Sequence, residues 1–336
     1  MLVLGLESSC DETSVALVEN GQKVLANVVA SQVKAHRPYG GVVPELASRH
    51  HLNNIEPVLQ TALDEAKCDL IDVDLIAVTQ GPGLAGSLLI GISFARALAY
   101  VLQKKIVGVH HVEAHLASPF LENPQMQFPF VSLVVSGGHT ALFEVRAVGK
   151  YRLLGQTIDD AVGEAYDKVA KLMQLGYPGG PILDRLAKQG NPSAIAFPRG
   201  MLHSKNLNFS FSGLKTAVLY HVRGYDHLKK VPAADVAASF QEAVVDVLAA
   251  KMKKAAEQCG VKTISIAGGV ACNSRLRERL KELAEEEGWQ FFYPSPILCT
   301  DNAAMIAALG YHKRATAKPA SSSSLKLEAK PNWAVV

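Results

Sequence analysis

Two histidines four residues apart form the pattern in this sequence with the clearest chemical meaning. They lie in the run His110-His111-Val112-Glu113-Ala114-His115, directly after the apolar stretch Ile106-Val107-Gly108-Val109. In a helix, the spacing of His111 and His115 places both imidazoles on one face, about one turn apart. Two imidazoles on one helical face can bind the same metal ion, so the run predicts part of a metal site.

The same run lacks the glutamate position that a zinc peptidase needs. In the pattern His-Glu-x-x-His, the glutamate directly follows the first histidine and reaches the metal-bound water. Glu113 is two residues after His111, about 200° around a helix, and therefore points away from an ion held by the histidines. The run predicts metal ligands without the general base of a metallopeptidase. A chance pair of histidines on an amphipathic helix is the alternative.

Composition places the chain among globular proteins that act inside the cell. The 336 residues predict two domains or one domain of two lobes. A hydrophobic fraction of 49% and a formal net charge of +3 permit a polyanionic partner without requiring one. Five scattered cysteines without a Cys-x-x-Cys pair indicate reduced thiols and a cytoplasmic protein. The apolar residues 75–95 are long enough to span a bilayer, but the turn at 79–83 interrupts them, so we expect no membrane span.

The order of predicted elements occurs twice. Three strands at residues 2–6, 14–19 and 23–29 correspond to strands at 130–135, 141–145 and 151–156. Each set is followed by a helix, a further strand, a glycine turn and another helix. Such an order predicts two α/β lobes with a cleft between equivalent loops. Glycine-rich or polar turns that present backbone N–H groups suit phosphate, and four occur at corresponding places, at residues 7–13, 80–83, 136–140 and 268–273.

Motifs of these turns and helices also carry a family resemblance that covers nearly the whole chain. They are Gly5-Leu6-Glu7-Ser8-Ser9-Cys10-Asp11-Glu12-Thr13, Pro44-Glu45-Leu46-Ala47-Ser48-Arg49, Gly81-Pro82-Gly83-Leu84, His111-Val112-Glu113-Ala114-His115, Val135-Ser136-Gly137-Gly138-His139-Thr140, Gly163-Glu164-Ala165-Tyr166-Asp167-Lys168, Phe209-Ser210-Phe211-Ser212-Gly213-Leu214-Lys215-Thr216, Gly268-Gly269-Val270-Ala271-Cys272-Asn273 and Thr300-Asp301-Asn302-Ala303. Together they resemble the actin-like ATPase superfamily. More closely, they resemble the bacterial tRNA adenosine threonylcarbamoyltransferases, the TsaD family, formerly described as O-sialoglycoprotein endopeptidases.

The resemblance implies a fold and an activity. The fold is the duplicated actin-like ATPase (ASKHA) fold, with two lobes and a nucleotide cleft between them. We expect an N-terminal lobe at residues 1–109, with residues 312–336 packing on it. The C-terminal lobe at 110–311 should carry the metal and nucleotide loops and an inserted segment near 194–230. The implied activity is an acyl transfer from threonylcarbamoyl-AMP to the exocyclic amine of the adenosine next to the anticodon in tRNA, with release of AMP.

The resemblance also assigns residues to three tasks. His111, His115 and Asp301 bind one metal ion per chain, expected to be Fe(2+), with Zn or Mg as alternatives. Asp11 and Glu12 lie at the reaction centre, where either could accept a proton. From the residues alone, Asp301 equally suits the N-cap of the following helix, and Asp11 a turn cap. The nucleotide or acyl-adenylate is assigned to a larger set of residues, which are Val135, Ser136, Gly137, Gly138, His139, Asp167, Gly180, Asp184 and Asn273.

Partners and competing functions complete the expectations. In the family, the enzyme works on tRNA with a smaller actin-like paralogue (TsaB) and a P-loop ATPase (TsaE). An ATP-dependent phosphotransferase or ATPase of the same fold is an alternative, as is a non-catalytic scaffold paralogue. Several basic clusters are candidate RNA contacts, although most basic runs on helices are solvated faces. They are Arg49-His50-His51, Lys104-Lys105, residues 251–254, Arg275-Leu276-Arg277 and Lys313-Arg314.

Overall fold

The computed structural model describes residues 1–225, 227, 231–319 and 326–335. The chain divides into two compact units. The first consists of Met1–Met126 and Pro294–Val336, and the second of Gln127–Tyr293. Each unit contains one five-stranded mixed sheet flanked by helices, which confirms the predicted α/β class.

The first unit is built on a sheet whose central strands are almost completely buried. Its strands are β1 (Leu2–Glu7), β2 (Glu12–Glu19), β3 (Lys23–Ser31), β4 (Leu75–Gly81) and β5 (Lys105–His110). They lie in the order β3-β2-β1-β4-β5. Strands β1, β2 and β3 are antiparallel neighbours, whereas β4 and β5 run parallel to β1. The carboxyl ends of β1, β4 and β5 therefore meet at one edge of the sheet, and the sequence places Glu7, Gly81 and His110 there.

Among the residues that the structure describes, six α-helices belong to the first unit. They are α1 (Val33–His36), α2 (Pro44–Ala66), α3 (Ala85–Leu102), α4 (His111–Ala117), α10 (Pro296–Cys299) and α11 (Ala303–His312). Helix α11 is apolar around most of its circumference, and its residues Ala303 to Gly310 are buried. It packs against β1 and β4 at very short range, because glycines at the contact leave room for its backbone.

The second unit repeats the topology of the first. Its strands are β6 (Phe130–Val135), β7 (Thr140–Ala147), β8 (Lys150–Gln156), β9 (Thr263–Ala267) and β10 (Gln290–Phe292), in the order β10-β9-β6-β7-β8. Its helices are α5 (Val162–Leu172), α6 (Gly179–Ala187), α7 (Ser212–Arg223), α8 (Ala233–Cys259) and α9 (Ser274–Glu287). If β6 is taken as the equivalent of β1, each other strand of the second sheet occupies the same place and runs in the same direction relative to β6 as its equivalent does relative to β1. This equivalence confirms the duplication predicted from the sequence.

The boundaries of the units differ from those of the predicted lobes. Residues 110–126 and 294–311, expected in the C-terminal lobe, lie in the first unit. The reason is that α4 continues directly from β5 and that α11 buries its apolar surface on the first sheet. The expected inserted segment 194–230 contains α7, which its weak periodicity did not predict. Residues 226 and 228–230 of that segment, and 320–325 and 336 of the expected tail, lie outside the described residues.

The end of the chain lies against the glycine turn at residues 80–83. Lys330 N–H donates to the carbonyl of Gln80 at 2.8 Å, and Gly83 N–H donates to the carbonyl of Pro331 at 3.1 Å. Leu327 is buried in the core of the first unit. The expectation that this turn presents free N–H groups to phosphate is therefore wrong at Gly83, because the chain's own backbone occupies that position.

Helix α3 is the one described helix that is long and apolar enough to cross a membrane. A third of its most apolar window is buried within the fold. The buried side chains include Leu88, Ile92, Ala95 and Ala99, which recur at helical spacing. Leu89, Tyr100 and Val101 on its other side are more than half exposed, at 55%, 56% and 76%.

Gly5 of β1 provides a test of the close packing of α11. A Cβ atom there would lie 2.3 Å from the carbonyl oxygen of Ala303 and 2.9 Å from Cβ of Ala307, so the helix must move. We expect Gly5→Ala to lower the free energy of unfolding by about 1–3 kcal/mol, measured by denaturant titration. Gly213→Ala is the matched control, because a Cβ at Gly213 meets no atom within 4 Å. Equal stability of the two variants would contradict the close contact.

Candidate functional site

Helix α4 places the two histidines as the spacing predicted. His110 caps the helix, since its Nδ1 accepts hydrogen bonds from the N–H groups of Val112 and Glu113 at 3.1 and 3.4 Å. Its Nε2 donates to the carbonyl of Trp333 at 3.0 Å. His110 is fully buried. His110 is therefore a buried capping residue, which gives a physical reason for histidine at this position.

Asp301 joins the two histidines in one buried cluster. Its Oδ1 lies 3.1 Å from Nε2 of His115 and 3.5 Å from Nε2 of His111. One ligand atom from each of the three residues lies within 4.8 Å of the others. His111 is 5% and His115 1% exposed, so the donor atoms converge in a largely dry site. Two imidazoles and one carboxylate form a donor set that suits Fe(II) or Zn(II) and leaves coordination positions open.

Glu7 forms a hydrogen bond with this cluster and was not predicted as a site residue from the sequence. It ends β1, and its Oε2 accepts a hydrogen bond from Nδ1 of His111 at 3.0 Å. The same carboxylate accepts hydrogen bonds from Ser9 N–H at 2.6 Å and from Thr79 Oγ1 at 2.7 Å. A ligating histidine commonly donates its second ring N–H to a carboxylate in this way. Because Glu7 holds Nδ1, Nε2 of His111 remains directed at Asp301. The signal available in the sequence was an acid at the end of an apolar strand.

The charges in the cluster shift its pKa values in opposite directions. Burial lowers the pKa of His111, but Asp301 and Glu7 outweigh this effect and raise it to about 9. Burial lowers the pKa of His115, and the opposing effect of Asp301 does not offset it. Burial raises the pKa of Glu7, but His111 more than offsets this and the net pKa is lowered. A metal ion bound here would have to displace the proton that His111 carries without it.

Two neighbouring residues take structural tasks that the sequence left open. Glu113 forms an ion pair with Lys313, just after α11, instead of facing the histidines. This pairing agrees with the geometry that disfavoured a metallopeptidase. Asn302 caps α11, because its side chain accepts a hydrogen bond from Met305 N–H at 3.1 Å. The alternative reading of Asp301 as the N-cap is therefore wrong.

Asp11 and Glu12 lie where the turn after β1 leads into β2. His51 of α2 forms hydrogen bonds with residues on both sides of them. Nε2 of His51 donates to the carbonyl of Cys10 at 2.9 Å, and Thr13 Oγ1 donates to Nδ1 at 2.8 Å. A carbonyl can only accept, so these contacts fix the proton on Nε2. The histidine thereby holds the residues on both sides of the two carboxylates. The sequence places His51 in a basic cluster that is a candidate RNA contact, but its side chain is completely buried.

The electrostatic environment of Glu12 distinguishes it from an ordinary turn residue. Burial raises its pKa well above 4.5, and the nearby charges of Asp11 and Asp301 raise it further. Ser31 Oγ donates to its carboxylate at 3.2 Å, which opposes the rise only partly. A carboxyl group with a raised pKa binds a proton more readily near neutral pH, as a general base requires. Ser9 Oγ of the same turn lies 3.3 Å from Nδ1 of His111, so the turn is close to the histidine cluster.

In the second unit, residues 135–139 form a tight turn between β6 and β7. Ser136 N–H donates to the carbonyl of His139 at 2.8 Å, and His139 N–H donates to Ser136 Oγ at 3.1 Å. Gly163, at the start of α5, packs on this turn, and its N–H donates to the carbonyl of Ser136 at 3.2 Å. Gly137 and Gly138 are exposed, and a Cβ atom on either would meet no protein atom within 4 Å. No described neighbour requires glycine there, so the open space is available to a ligand.

The remaining predicted nucleotide residues of this unit belong to one hydrogen-bonded network. Asp167 accepts from Gly179 N–H at 2.7 Å, next to Gly180. Asp184 accepts from the backbone and the hydroxyl of Ser274 at 3.2 and 2.9 Å.

Asn273 completes this network. It caps α9 and donates to Gln241 Oε1 at 2.7 Å and to Tyr166 Oη at 3.4 Å. The structure thus links α5, α6 and α9 through the predicted residues. Asn273 is more embedded than a purely ligand-facing side chain, which the sequence did not reveal.

Solved structures define the class of protein. HypF of T. kodakarensis matches 94% of this chain and 48% of its own, with a TM-score of 0.63 at 16% identity. Component A of the (R)-2-hydroxyglutaryl-CoA dehydratase of Acidaminococcus fermentans matches 94% of this chain and 99% of its own, with a TM-score of 0.55 at 14% identity. At such identities the likeness concerns the fold alone. This chain is a protein of the actin-like ATPase fold.

Sequence relatives narrow the class to a family. The family model described as tRNA N6-adenosine threonylcarbamoyltransferase, TsaD, matches residues 23–308. The enzyme of Geotalea daltonii named tRNA N6-adenosine threonylcarbamoyltransferase is 56% identical to this chain, and the match covers 92% of this chain and 91% of the relative. The enzyme of the same name in Clostridioides difficile is 51% identical, and the match covers 99% of this chain and 98% of the relative. The chain belongs to the tRNA N6-adenosine threonylcarbamoyltransferase family. It is a transferase that modifies tRNA, as the resemblance implied.

The histidine cluster predicts a metal content that single substitutions remove. We expect about one metal ion per chain in the wild type and almost none in His111→Ala, because an open site that loses one of its three protein ligands binds weakly. Elemental analysis after desalting measures this, and circular dichroism should show the fold retained. Glu113→Gln is the control on the same helix and should keep its metal, because Glu113 pairs with Lys313. Equal metal content in wild type and His111→Ala would refute the site.

The raised pKa of Glu12 predicts a pH dependence of stability in the metal-free protein. The folded state holds the Glu12 proton more tightly than the unfolded state, whose ordinary value is 4.5. As the pH rises above 4.5, ionisation therefore favours the unfolded chain, and wild type should lose stability relative to Glu12→Gln. Denaturant titrations with a chelator from pH 4.5 to 7.5 measure the difference. A difference that stays constant across this range would show that Glu12 has no raised pKa.

Proposed function

We propose that this chain transfers the threonylcarbamoyl group from threonylcarbamoyl-AMP to the exocyclic amine of the adenosine next to the anticodon in tRNA, releasing AMP. Family membership supports the acyl transfer to tRNA adenosine. The observation that carries the proposal further is that Ser9, in the turn that leads to Asp11 and Glu12, lies 3.3 Å from Nδ1 of His111, so the two carboxylates adjoin the cluster of His111, His115 and Asp301. A proton acceptor and a candidate metal site therefore belong to the same region of the first unit.

The metal ion of this proposal is Fe(2+), bound by His111, His115 and Asp301, with Zn or Mg as alternatives. Two imidazoles favour iron or zinc over magnesium, because magnesium prefers oxygen ligands. The orientation of His111 by Glu7 supports the fit of these residues to a metal. When bound, the ion would supply Lewis-acid stabilisation of negative charge on a phosphate or carbonyl oxygen. The other tasks fall to side chains.

Proton removal from the attacking amine is assigned to the Asp11–Glu12 turn. The exocyclic amine of adenine is a weak nucleophile, and it loses a proton as the new C–N bond forms. Glu12 is the favoured acceptor, because burial and the charge of Asp11 raise its pKa towards neutrality. Asp11 contributes through its charge, and His51 keeps the backbone of the turn in place.

The adenylate half of the donor is assigned to the second unit. The turn at residues 135–139 has the open space at Gly137 and Gly138 that close approach of a phosphate requires. Asp167, Asp184 and the backbone beside Gly180 are proposed to contact the ribose and base. The network that joins these residues supports their action as one preorganised surface.

An ATP-dependent phosphotransferase and a non-catalytic scaffold are not favoured. Relatives of near full-length coverage carry the transferase name. A scaffold would have no physical reason to bury two histidines beside two carboxylates, because unpaired buried charges are costly.

Two partner proteins and a compartment complete the proposal. A smaller actin-like paralogue (TsaB) is proposed to cover the exposed apolar side of α3, where Leu89, Tyr100 and Val101 face solvent. A P-loop ATPase (TsaE) is proposed to assist turnover, because the sequence contains no Gly-x₄-Gly-Lys-Ser/Thr loop. The reaction is proposed to occur in the cytoplasm, where its tRNA substrate is available.

A transfer assay tests the assignment of Glu12 and the assignment of Gly137 separately. The chain, its partners and tRNA are incubated with threonylcarbamoyl-AMP labelled in the threonyl group, and label on tRNA is measured. Glu12→Gln should lower kcat by about 10²–10⁴-fold with little change in KM for the donor. Gly137→Val should raise KM for the donor, because the new side chain fills the open space at the turn.

Gly213→Val serves as the matched control for Gly137→Val, since it adds the same side chain at another open glycine of the second unit. Failure of the wild type to label tRNA with both partners present would refute the donor or the reaction. Unchanged kcat in Glu12→Gln would refute only the assignment of the base.

A further inference from the structure

Most of the basic clusters noted in the sequence are occupied by contacts within the protein. Lys251 and Lys254 of α8 donate to Ser204 and to backbone carbonyls of residues 204–206. Arg275 is paired with three glutamates of α8 and α9. Lys313 is paired with Glu113. Side chains held in this way have little capacity left for phosphate.

Three basic residues of the first unit differ from these paired clusters. Lys34, Arg37 and Arg49 are exposed, and none forms an ion pair or side-chain hydrogen bond with any residue that the structure describes. Lys34 and Arg37 are three residues apart across α1 and the following 3₁₀ turn, so they lie close together on the surface. Within residues 32–51, Glu45 is the one acidic residue. The segment therefore presents uncompensated positive charge.

Hydrogen bonds join this segment into one surface. Gln32, which precedes α1, donates its side-chain amide to the carbonyl of Ala47 in α2 at 3.4 Å. His36 is buried beneath the segment and accepts from Val43 N–H at 3.2 Å. The α1 region is thus fixed to the first turns of α2, and Arg49 is two residues beyond Ala47. Arg49 lies in the second turn of α2, and its side chain is exposed on the solvent side of that helix.

The same surface borders the proposed reaction centre. Gln32 N–H donates to the carbonyl of Asp11 at 3.0 Å, and Ser31 donates to Glu12. His51, two residues after Arg49, contacts Cys10 and Thr13 on either side of the two carboxylates. When the nucleobase of a nucleotide reaches Asp11 and Glu12, the phosphates on either side of that nucleotide pass close to this surface.

An exposed aromatic side chain follows these basic residues in the sequence. Tyr39 is 61% exposed, lies two residues after Arg37 and precedes Gly40 and Gly41. Exposed aromatic side chains close to basic residues are typical of surfaces that bind single-stranded nucleic acid. A protein partner would instead favour a contiguous apolar patch, which this charged surface does not provide.

We infer that Lys34, Arg37, Tyr39 and Arg49 form the surface that binds the anticodon loop of the tRNA substrate. The three basic side chains contact phosphates beside the modified adenosine, and the ring of Tyr39 stacks on an unpaired nucleobase. The inference rests on the proposed reaction centre at Asp11 and Glu12. It adds the position and the chemistry of the contact with RNA, which the family name does not supply.

Salt-dependent binding of tRNA tests this surface. Fluorescence anisotropy is measured with the full chain and its partners at several salt concentrations. In Lys34→Gln/Arg37→Gln/Arg49→Gln, the slope of log affinity against log salt should become shallower by about 2, since each phosphate contact with single-stranded RNA contributes about 0.7. Tyr39→Ala should weaken binding about tenfold without changing this slope, whereas Tyr39→Phe should retain the affinity of the wild type.

Lys105→Gln is the control for a general effect of charge. Lys105 begins β5 in the same unit and is exposed, but the strand register places it level with Val3, four residues or about 13 Å along the strands from Glu7. A loss of affinity in Lys105→Gln equal to one third of that in the triple variant would overturn the inference. An unchanged slope in a triple variant with wild-type thermal stability would do the same.

Kinetics separate this inference from the proposed function. The triple variant should raise KM for tRNA and leave both KM for the donor and the metal content unchanged. A wild-type protein that binds tRNA through these residues yet transfers no label would support the surface and count against the proposed reaction. A rise in KM for the donor in the triple variant would contradict a purely RNA-binding role.

Discussion

The contact of Asp301 with His111 and His115 is the interaction on which the rest of the first unit depends. It joins residues that are 186 positions apart in sequence, and it is possible only because α11 returns the chain to the first sheet. A carboxylate in a buried site is costly unless charged or hydrogen-bonding groups surround it. The imidazoles provide these groups on one side of the cluster, and Glu7 orients His111 from the other. The apolar packing of α11 thus stabilises a polar site that would be unfavourable without it.

The sequence predicted most of this arrangement wherever periodicity or spacing was informative. The predicted bounds of β6 agree with the structure, and the helix that carries His111 and His115 begins where the apolar strand ends. The role of Glu7 could not be predicted in the same way, since an acid after a strand is an ordinary turn residue until its distant partner is known. Helix α7 escaped detection because glycine, serine and aromatic residues at its start obscure the helical period.

Duplication explains why the topology was predictable and why the loops were not. Strand order and direction follow from packing of the same kind in both units, so a repeated pattern predicts a repeated sheet. The loops at equivalent positions have different partners. The turn after β4 is covered by residues 328–331, whereas Gly268 after β9 packs on the carbonyl of Val135 and supports the turn at 135–139. A repeat therefore predicts the backbone path of a loop, but the contacts of that loop depend on segments outside the repeat.

Electrostatics set a further requirement on a site of this kind. Glu7, Asp11, Glu12 and Asp301 concentrate four acids in one small region. Burial raises the pKa of Glu12, and the charges of Asp11 and Asp301 raise it further, but the same acids also repel a polyanionic substrate. Basic side chains must offset this repulsion at the border of the site. Inside the site, such side chains would pair with the carboxylates and lower the pKa of Glu12. Exposed bases that border the turn and have no acidic partner among the described residues satisfy both conditions. Under the proposed function, the separation of the acids in the turn from exposed basic residues at its border lets one site hold a proton-accepting carboxylate and still admit RNA.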